Sequence, residues 1–308
     1  MSSVAPLTTL EKTSPAHILQ ALDSVLLGKR EQCTLALTCI LSRGHLLIED
    51  VPGVGKTTLA RAFGGLLGMD SKRVQFTNDL LPADVVGVSI FDAQSQQFQF
   101  QPGPVFTSLL LADEINRAPA KAQSALLEAM EERQVTVDGV TRELPDPFFV
   151  IATQNPGEQR GVFGLPESQL DRFLMGVSLG YPDPEQERLL LANGDTRNSV
   201  EQMQPLLDST TLSHWMASVD KVHMADSVLK YLHELVIATR REQNGLSPRA
   251  GLGLVRASRA FAFVQQREHV LPDDVKAVFS AVAGHRLTGS VATGMAAADT
   301  IIESVTAP

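Results

Sequence analysis

Short, continuous apolar runs alternate with helical repeats through the first ~180 residues, the alternation that builds a layered α/β domain. Leu46-Leu47-Ile48, the stretch Ser108 to Ala112 with LLLA at its heart, Phe148 to Thr153 and Leu174 to Leu179 are such runs. Runs of this kind suit central parallel strands, which are buried on both faces. Arg73 to Thr77 reads as one more short strand. Between them lie helices. Ser14-Pro15 is a cap followed by a proline at the first helical position, and Ile18, Leu22, Val25 and Leu26 follow at helical spacing up to Gly28. A second helical run from Glu31 to Leu41 stops at Gly44, and a third runs from Thr57 to Leu67. Pro119 opens a helix in which Ala122, Ala125, Leu126, Ala129 and Met130 form one face.

Two stretches break this rhythm with strict alternation. Val88 to Phe91 and Phe98 to Phe100 flank a polar loop, and QVTVDGVTREL (Gln134 to Leu144) turns at Asp138-Gly139. Both read as hairpins, the second with a type I′ turn. After Tyr181-Pro182-Asp183-Pro184 the strands stop. Val228, Leu229, Leu232, Leu235 and Val236 mark one helix, Pro248 and Pro272 open two more, and a weak helix lies near Asp299 to Val305. The expected organisation is a loose tail over residues 1–13, an α/β core over 14–181 and a helical domain over 182–308.

Composition narrows the class. Hydrophobic residues make up 44% and charged residues 20%, the balance of a soluble globular protein. The expected location is cytoplasmic, since no apolar run reaches the ~20 residues of a membrane helix and the amino end lacks a secretory pattern. The net charge of −9 argues against a passive nucleic-acid binder. Cys33 and Cys39, without a His or Asp cluster, read as buried free thiols.

The candidate chemistry lies at the ends of the apolar runs. LLIEDVPGVGKTT (Leu46 to Thr58) is a strand, a glycine-bearing turn and a helix start. This order lets backbone N–H groups close on phosphate oxygens, with Lys56 adding charge and the Thr57 hydroxyl available to Mg²⁺. Gly53, Val54, Gly55, Lys56, Thr57 and Thr58 are the candidate phosphate-binding positions. Asp50 stands where the pattern G-x-x-x-x-G-K-[ST] has its first glycine. Aspartate tolerates left-handed backbone angles better than most residues, so the turn is expected to survive with the carboxylate facing away from the phosphates.

Asp113-Glu114 ends an apolar strand, and ligands of parallel sheets bind at such carboxyl ends. One carboxylate can hold Mg²⁺ and the other can polarise a water. Asn155 ends the next strand and can bond that water or the γ-phosphate; an Asn-Pro turn is the plainer reading. Arg172 either pairs with Asp171 on the surface or is aimed at a nucleotide held by a neighbouring subunit. Arg249 falls in a first helical turn capped by Ser247, against the helix dipole, which suits a cation serving a bound anion.

Together these motifs resemble the MoxR family of AAA+ ATPases over residues ~14–305. The resemblance rests on LLIEDVPGVGKTTLA, QFTNDLLPADVVG, FQFQPGPVFTSLLLADEINRAPAKAQSALLEAMEE, VIATQNPGE, LPESQLDRF and GLSPRA. It implies a mostly parallel five-stranded sheet in the order 5-1-4-3-2 with an α-helical lid. It implies ATP and Mg²⁺ as cofactors. Lys56 and Thr57 match Walker A, with Thr57 and Asp113 as the metal-side residues and Glu114 completing Walker B. Asn155 matches sensor 1, Arg172 the arginine finger and Arg249 sensor 2. The hairpins match the helix-2 insert and the pre-sensor-1 hairpin.

The implied activity is ATP hydrolysis in a homo-oligomer, usually a hexameric ring. Such rings remodel protein clients, often with a partner carrying a von Willebrand factor A domain. A nucleic-acid motor is the alternative, and a magnesium-chelatase-type subunit shares the architecture. The acidic balance, and a second hairpin with Asp138 at its tip and only Arg142 nearby, weigh against DNA. No Asn-Lys-x-Asp stretch follows the strands to read guanine.

Overall fold

A computed structural model describes residues 13–155, 165–193, 200–241 and 245–308; the expected tail, apart from its last residue, lies outside them. Five strands form the central sheet: β1 (Leu46–Glu49), β2 (Ser71–Gln75), β5 (Leu109–Asp113), β8 (Phe149–Gln154) and β9 (Met175–Val177). Every pairing between them is parallel, in the order β2-β5-β8-β1-β9. Numbered within the sheet alone, this is the expected 5-1-4-3-2. β2 begins and ends two residues earlier than its apolar pattern suggests. Its register against β5 runs from Ser71–Leu109 to Gln75–Asp113, so the partner strand sets its limits.

Alternation along these strands divides the core in two. Leu46, Ile48, Leu109, Leu111, Phe149 and Ile151 face one cluster, and Leu47, Leu110, Ala112, Val150 and Ala152 face the other. The first cluster takes in α1 (Pro15–Asp23), α2 (Arg30–Leu41) and α3 (Lys56–Leu66). The second takes in α4 (Pro82–Val86) and α5 (Ala120–Glu132), where Ala122, Leu126, Ala129 and Met130 are buried as the repeat requires. Both hairpins form: β3 (Gly87–Asp92) with β4 (Gln97–Pro102), and β6 (Gln134–Val137) with β7 (Val140–Glu143). At the second turn Asp138 and Gly139 both have positive φ, as type I′ demands.

After α6 (Glu167–Leu170) and β9 the chain is helical: α7 (Pro184–Asn193), α8 (Ser209–Val219), α9 (Asp226–Thr239), α10 (Pro248–Val264), α11 (Pro272–Thr288) and α12 (Val291–Ser304). In α9, Leu229 is exposed and Tyr231 is buried in its stead. The weak terminal helix is longer than its sparse apolar pattern shows, because α12 packs along α11. Residues of these helices join the first apolar cluster, and α10 packs on α2. No helix among the described residues is long and apolar enough to cross a membrane. Cys33 and Cys39 are free and buried; burial pushes the Cys33 thiol up to about 12.

His45, just before β1, is a buried polar joint. Its Nδ1 accepts from the Val150 N–H (3.0 Å) and its Nε2 faces the Met130 carbonyl (3.3 Å), so the neutral Nε2–H form ties α5 to β8. Burial lowers its pKa from 6.5 to about 4. The depressed value means that the neutral imidazole's contribution is complete above pH 6.5 and is lost as pH falls towards 4. That difference corresponds to about 3 kcal/mol. His45→Gln, which keeps a neutral polar side chain, should flatten the pH dependence of unfolding free energy across this window by roughly that amount. Urea titrations of both proteins at pH 7, 5.5 and 4 check it, and parallel pH profiles would remove His45 as the cause.

Candidate functional site

The carboxyl ends of β1, β5 and β8 open into a cleft of about 540 Å³. Parallel register makes this convergence possible, with Ile48 opposite Thr153 and Ala112 opposite Ala152. Pro52, Gly53, Gly55, Lys56, Thr57 and Thr58 line one side, and Asp113, Glu114, Thr153 and Asn155 the other. The left-handed positions of the candidate phosphate loop are Gly53 (φ 87°) and Gly55 (φ 99°). Asp50 is not left-handed, so the tolerance expected of it is not used. Its carboxylate does face away from the cleft, accepting from the Val51 N–H (2.9 Å), the Gly180 N–H (2.7 Å) and the Ser178 hydroxyl (3.0 Å). Val54 differs from its neighbours in that its side chain is buried in the apolar core.

Among the described residues no side chain caps the N-terminus of α3, so its first N–H groups point into the cleft, where an anion is favoured. Lys56 is buried, and burial pushes its ammonium below the usual lysine range, opposed by Asp50, Asp113 and Glu114. Its Nζ donates to the Asp50 carbonyl (2.6 Å) and to Asn155 Oδ1 (2.8 Å). Asn155 Nδ2 in turn donates to Glu114 Oε1 (3.1 Å). Lys56, Asn155 and Glu114 are therefore one hydrogen-bonded chain.

Four further residues join this cluster and were missed in the sequence. The Thr153 hydroxyl accepts from the Glu114 N–H (2.9 Å) and donates to Asp113 Oδ1 (2.7 Å). Arg73 donates through Nε (2.9 Å) and Nη2 (2.7 Å) to Asp113 Oδ2. Gln75 donates to Glu114 Oε2 (2.8 Å), which Arg117 also approaches (3.1 Å). Thr153 was within reach, since it lies in β8 two residues before Asn155, which follows that strand. Arg73 and Gln75 become visible only once β2 is known to lie beside β5.

Arg172 and Arg249 are not in this cleft. Arg172 Nε pairs with Glu131 Oε2 at 2.9 Å, and Arg249 Nη1 with Glu131 Oε1 at 2.8 Å. The surface pairing of Arg172 with Asp171 is not what forms. Asp171 is taken by Arg286 (Nε to Oδ1, 2.7 Å) and by the Ser247 hydroxyl (3.2 Å). Arg286 is deeply buried, and it also donates to the carbonyls of Asp171, Phe173 and Leu174, strapping the segment before β9 to α11.

Comparison with known proteins agrees with this arrangement. Residues 45–175 match the ATPase family associated with various cellular activities (AAA), and residues 236–305 match the AAA lid domain. The crystal structure of a Cytophaga hutchinsonii protein, provisionally assigned as an ATPase, superposes with a TM-score of 0.82 at 35% identity, covering 95% of this chain and 94% of that one. The uncharacterised protein YeaC of Bacillus subtilis is 44% identical over 272 residues, 87% of this chain and 85% of YeaC. Chaperone MoxR1 of Mycobacterium tuberculosis is 42% identical over 276 residues, 85% of this chain and 72% of MoxR1. The chain belongs to the MoxR family of AAA+ ATPases. As a MoxR-family ATPase it has an α/β nucleotide-binding fold and a helical lid, both present as expected.

Lys56 supplies the buried charge of the MoxR cleft, so Lys56→Ala should weaken ATP binding roughly 10- to 100-fold, the worth of a hydrogen bond to a charged group. Titration with a fluorescent ATP analogue measures this. Unchanged affinity with an intact fold would show that the loop is not the nucleotide site.

Proposed function

We propose that this chain hydrolyses ATP as a subunit of a hexameric ring of identical chains, and uses the cycle to remodel protein clients.

 

The observation that carries this reading is the division of the candidate residues between two places. Lys56, Asp113, Glu114 and Asn155 converge in one cleft, whereas Arg172 and Arg249 meet on Glu131 outside it. Charge developing on a transferring phosphoryl group calls for a cation beyond the phosphate-loop lysine. The arginines that line the cleft, Arg61 and Arg73, pair with Glu201 and Asp113, and the two candidate arginines lie away from it, so a neighbouring subunit is the source that fits.

In this reading Gly53, Val54, Gly55, Lys56, Thr57 and Thr58 hold the triphosphate, with Val54 contributing its backbone. The Thr57 hydroxyl and the Asp113 carboxylate are oxygen donors of the kind Mg²⁺ takes alongside phosphate. The ion, when bound, would neutralise charge on the phosphate oxygens. Lys56 turns from the Asp50 carbonyl and Asn155 towards the phosphates. Glu114 acts as base towards the attacking water, and Asn155, already bonded to Glu114, orients it. Arg172 and Arg249 face the nucleotide of the adjacent subunit. The core over 14–181 and the lid over 182–308, a von Willebrand factor A domain partner and a cytoplasmic location belong to the same proposal.

The hairpins favour protein clients over nucleic acid. Phe91 and Phe98 stack edge-to-face on the β3–β4 hairpin, beside its polar turn, and are 54% and 73% exposed, an apolar pair suited to polypeptide. On the β6–β7 hairpin Arg142 lies over the Phe100 ring at 3.9 Å and bonds the Val137 and Val140 carbonyls, while Asp138 occupies the turn. A DNA-gripping hairpin would present its basic residues at the tip. Stimulation of ATP hydrolysis by DNA would favour the nucleic-acid alternative.

Glu114→Gln should bind ATP normally and lose roughly 10²- to 10⁴-fold in kcat, because the amide cannot act as a base. Near wild-type turnover in a single-turnover assay would remove Glu114 from that role. Arg172→Ala should keep ATP affinity while losing about 10³-fold in turnover. Mixed with Lys56→Ala it should regain activity, since an intact pocket in one subunit meets an intact arginine in the next. Steady-state ATPase across mixing ratios, after subunit exchange is demonstrated, measures this; activity at background at every ratio would refute the placement in trans.

A further inference from the structure

Glu131 lies in the last turn of α5 and joins two segments distant in sequence. Each of its carboxylate oxygens takes one arginine, Arg172 from the segment before β9 and Arg249 from the first turn of α10. All three side chains are partly exposed. Ion pairs at such exposure contribute little to stability, so stability alone does not account for their convergence. What the arrangement does provide is orientation. Two guanidinium groups brought to one place repel each other, and each has a long side chain whose freedom must be lost before it can hold a ligand. Glu131 offsets the repulsion, accepting an N–H from Arg249 and ion-pairing with Arg172, and leaves further donors on both forks for an anion. The negative end of α5 favours cations at the same spot. The triplet keeps a net charge of +1. The backbone leading to Arg172 is already fixed by Arg286, so Glu131 sets the remaining freedom, that of the side chain.

We propose that Glu131 is a positioning residue that pairs Arg172 with Arg249 into one anion-receiving unit, filled by the terminal phosphate of the nucleotide bound to a second copy of this chain. The inference rests on the ring reading above. Glu131 itself touches no phosphate; it acts through the two arginines.

Glu131→Ala should lower kcat about tenfold, the scale of the side-chain freedom it releases, with KM for ATP unchanged within twofold. Adding Glu131→Ala to Arg172→Ala should lower kcat by less than tenfold, since the two changes disable one unit. The deciding measurement is ATPase activity in mixed assemblies. Glu131→Ala should regain activity with Lys56→Ala and gain none with Arg172→Ala, placing it with the arginine rather than with the cleft. Glu131→Gln keeps the volume but has one carbonyl oxygen for two arginines; it should show a smaller loss in the same pattern, and it decides the matter should the alanine variant not fold. Wild-type turnover in both Glu131 variants, or regained activity with Arg172→Ala but not with Lys56→Ala, would overturn the inference. The Arg172→Ala and Lys56→Ala mixture is the control. If the control regains activity and the Glu131 variants fail to complement Lys56→Ala, the positioning role falls alone. If the control also fails, the ring reading falls and takes this inference with it.

Discussion

The cleft is organised around a single buried ammonium. Taking a lysine charge out of water costs several kcal/mol unless polar partners replace the solvent. Lys56 has such partners in the Asp50 carbonyl and Asn155 Oδ1, with the Asp113 and Glu114 carboxylates nearby. These groups stand at the ends of β1, β8 and β5. Only a parallel sheet brings those three ends to one edge, so the topology and the lysine's environment are a single constraint. The phosphate loop's own glycines shape the turn, but the sheet determines what surrounds the charge.

A second set of buried polar contacts ties this edge to the helical part. Glu49, the last residue of β1, accepts from the Ser290 hydroxyl (2.6 Å), the Val291 N–H (3.2 Å) and Gln154 Nε2 (2.7 Å), so it sits at the N-terminus of α12. Asp50, the next residue, holds Ser178 and Gly180, and Lys29 donates to the Tyr181 carbonyl (2.9 Å). Arg286 fastens the segment carrying Arg172. The buried bonds among these, from Gln154 and Val291 to Glu49, are costly to break singly. The residues that begin the phosphate loop and those that present the arginines are therefore connected through the same helices.

Glu114 has φ 55° and ψ 49°, a left-handed conformation that costs a non-glycine residue about 1–3 kcal/mol. The bond from its N–H to Thr153 and the bonds from Gln75 and Asn155 to its carboxylate oppose that cost. Strain held in place by several partners at a strand end turns the carboxylate towards Asn155 and the cleft. The neighbouring Asp113 keeps extended strand geometry and pairs with Arg73.

By itself the sequence determined what depends on near neighbours. Apolar runs gave the strands, helical spacing gave α5 and α9, Asp138-Gly139 gave the hairpin turn, and the spacing around Lys56 gave the glycine turn between β1 and α3. Each reflects local backbone preference or one-face burial, which a short window contains. The tertiary structure decided what depends on which strands lie side by side and which helices touch. Arg73 and Gln75 reached the acidic pair through the β2–β5 register, and Thr153 through β5–β8. Val228, Leu232, Leu235 and Val236 of α9 are buried as expected, with Tyr231 rather than Leu229 at the edge of the covered face. Asp50, seen in sequence only as a departure from a loop pattern, found its carboxylate's partners some 130 residues away. Glu131 gave no local signal at all, since a glutamate near the end of a helix is ordinary until two distant arginines are folded onto it.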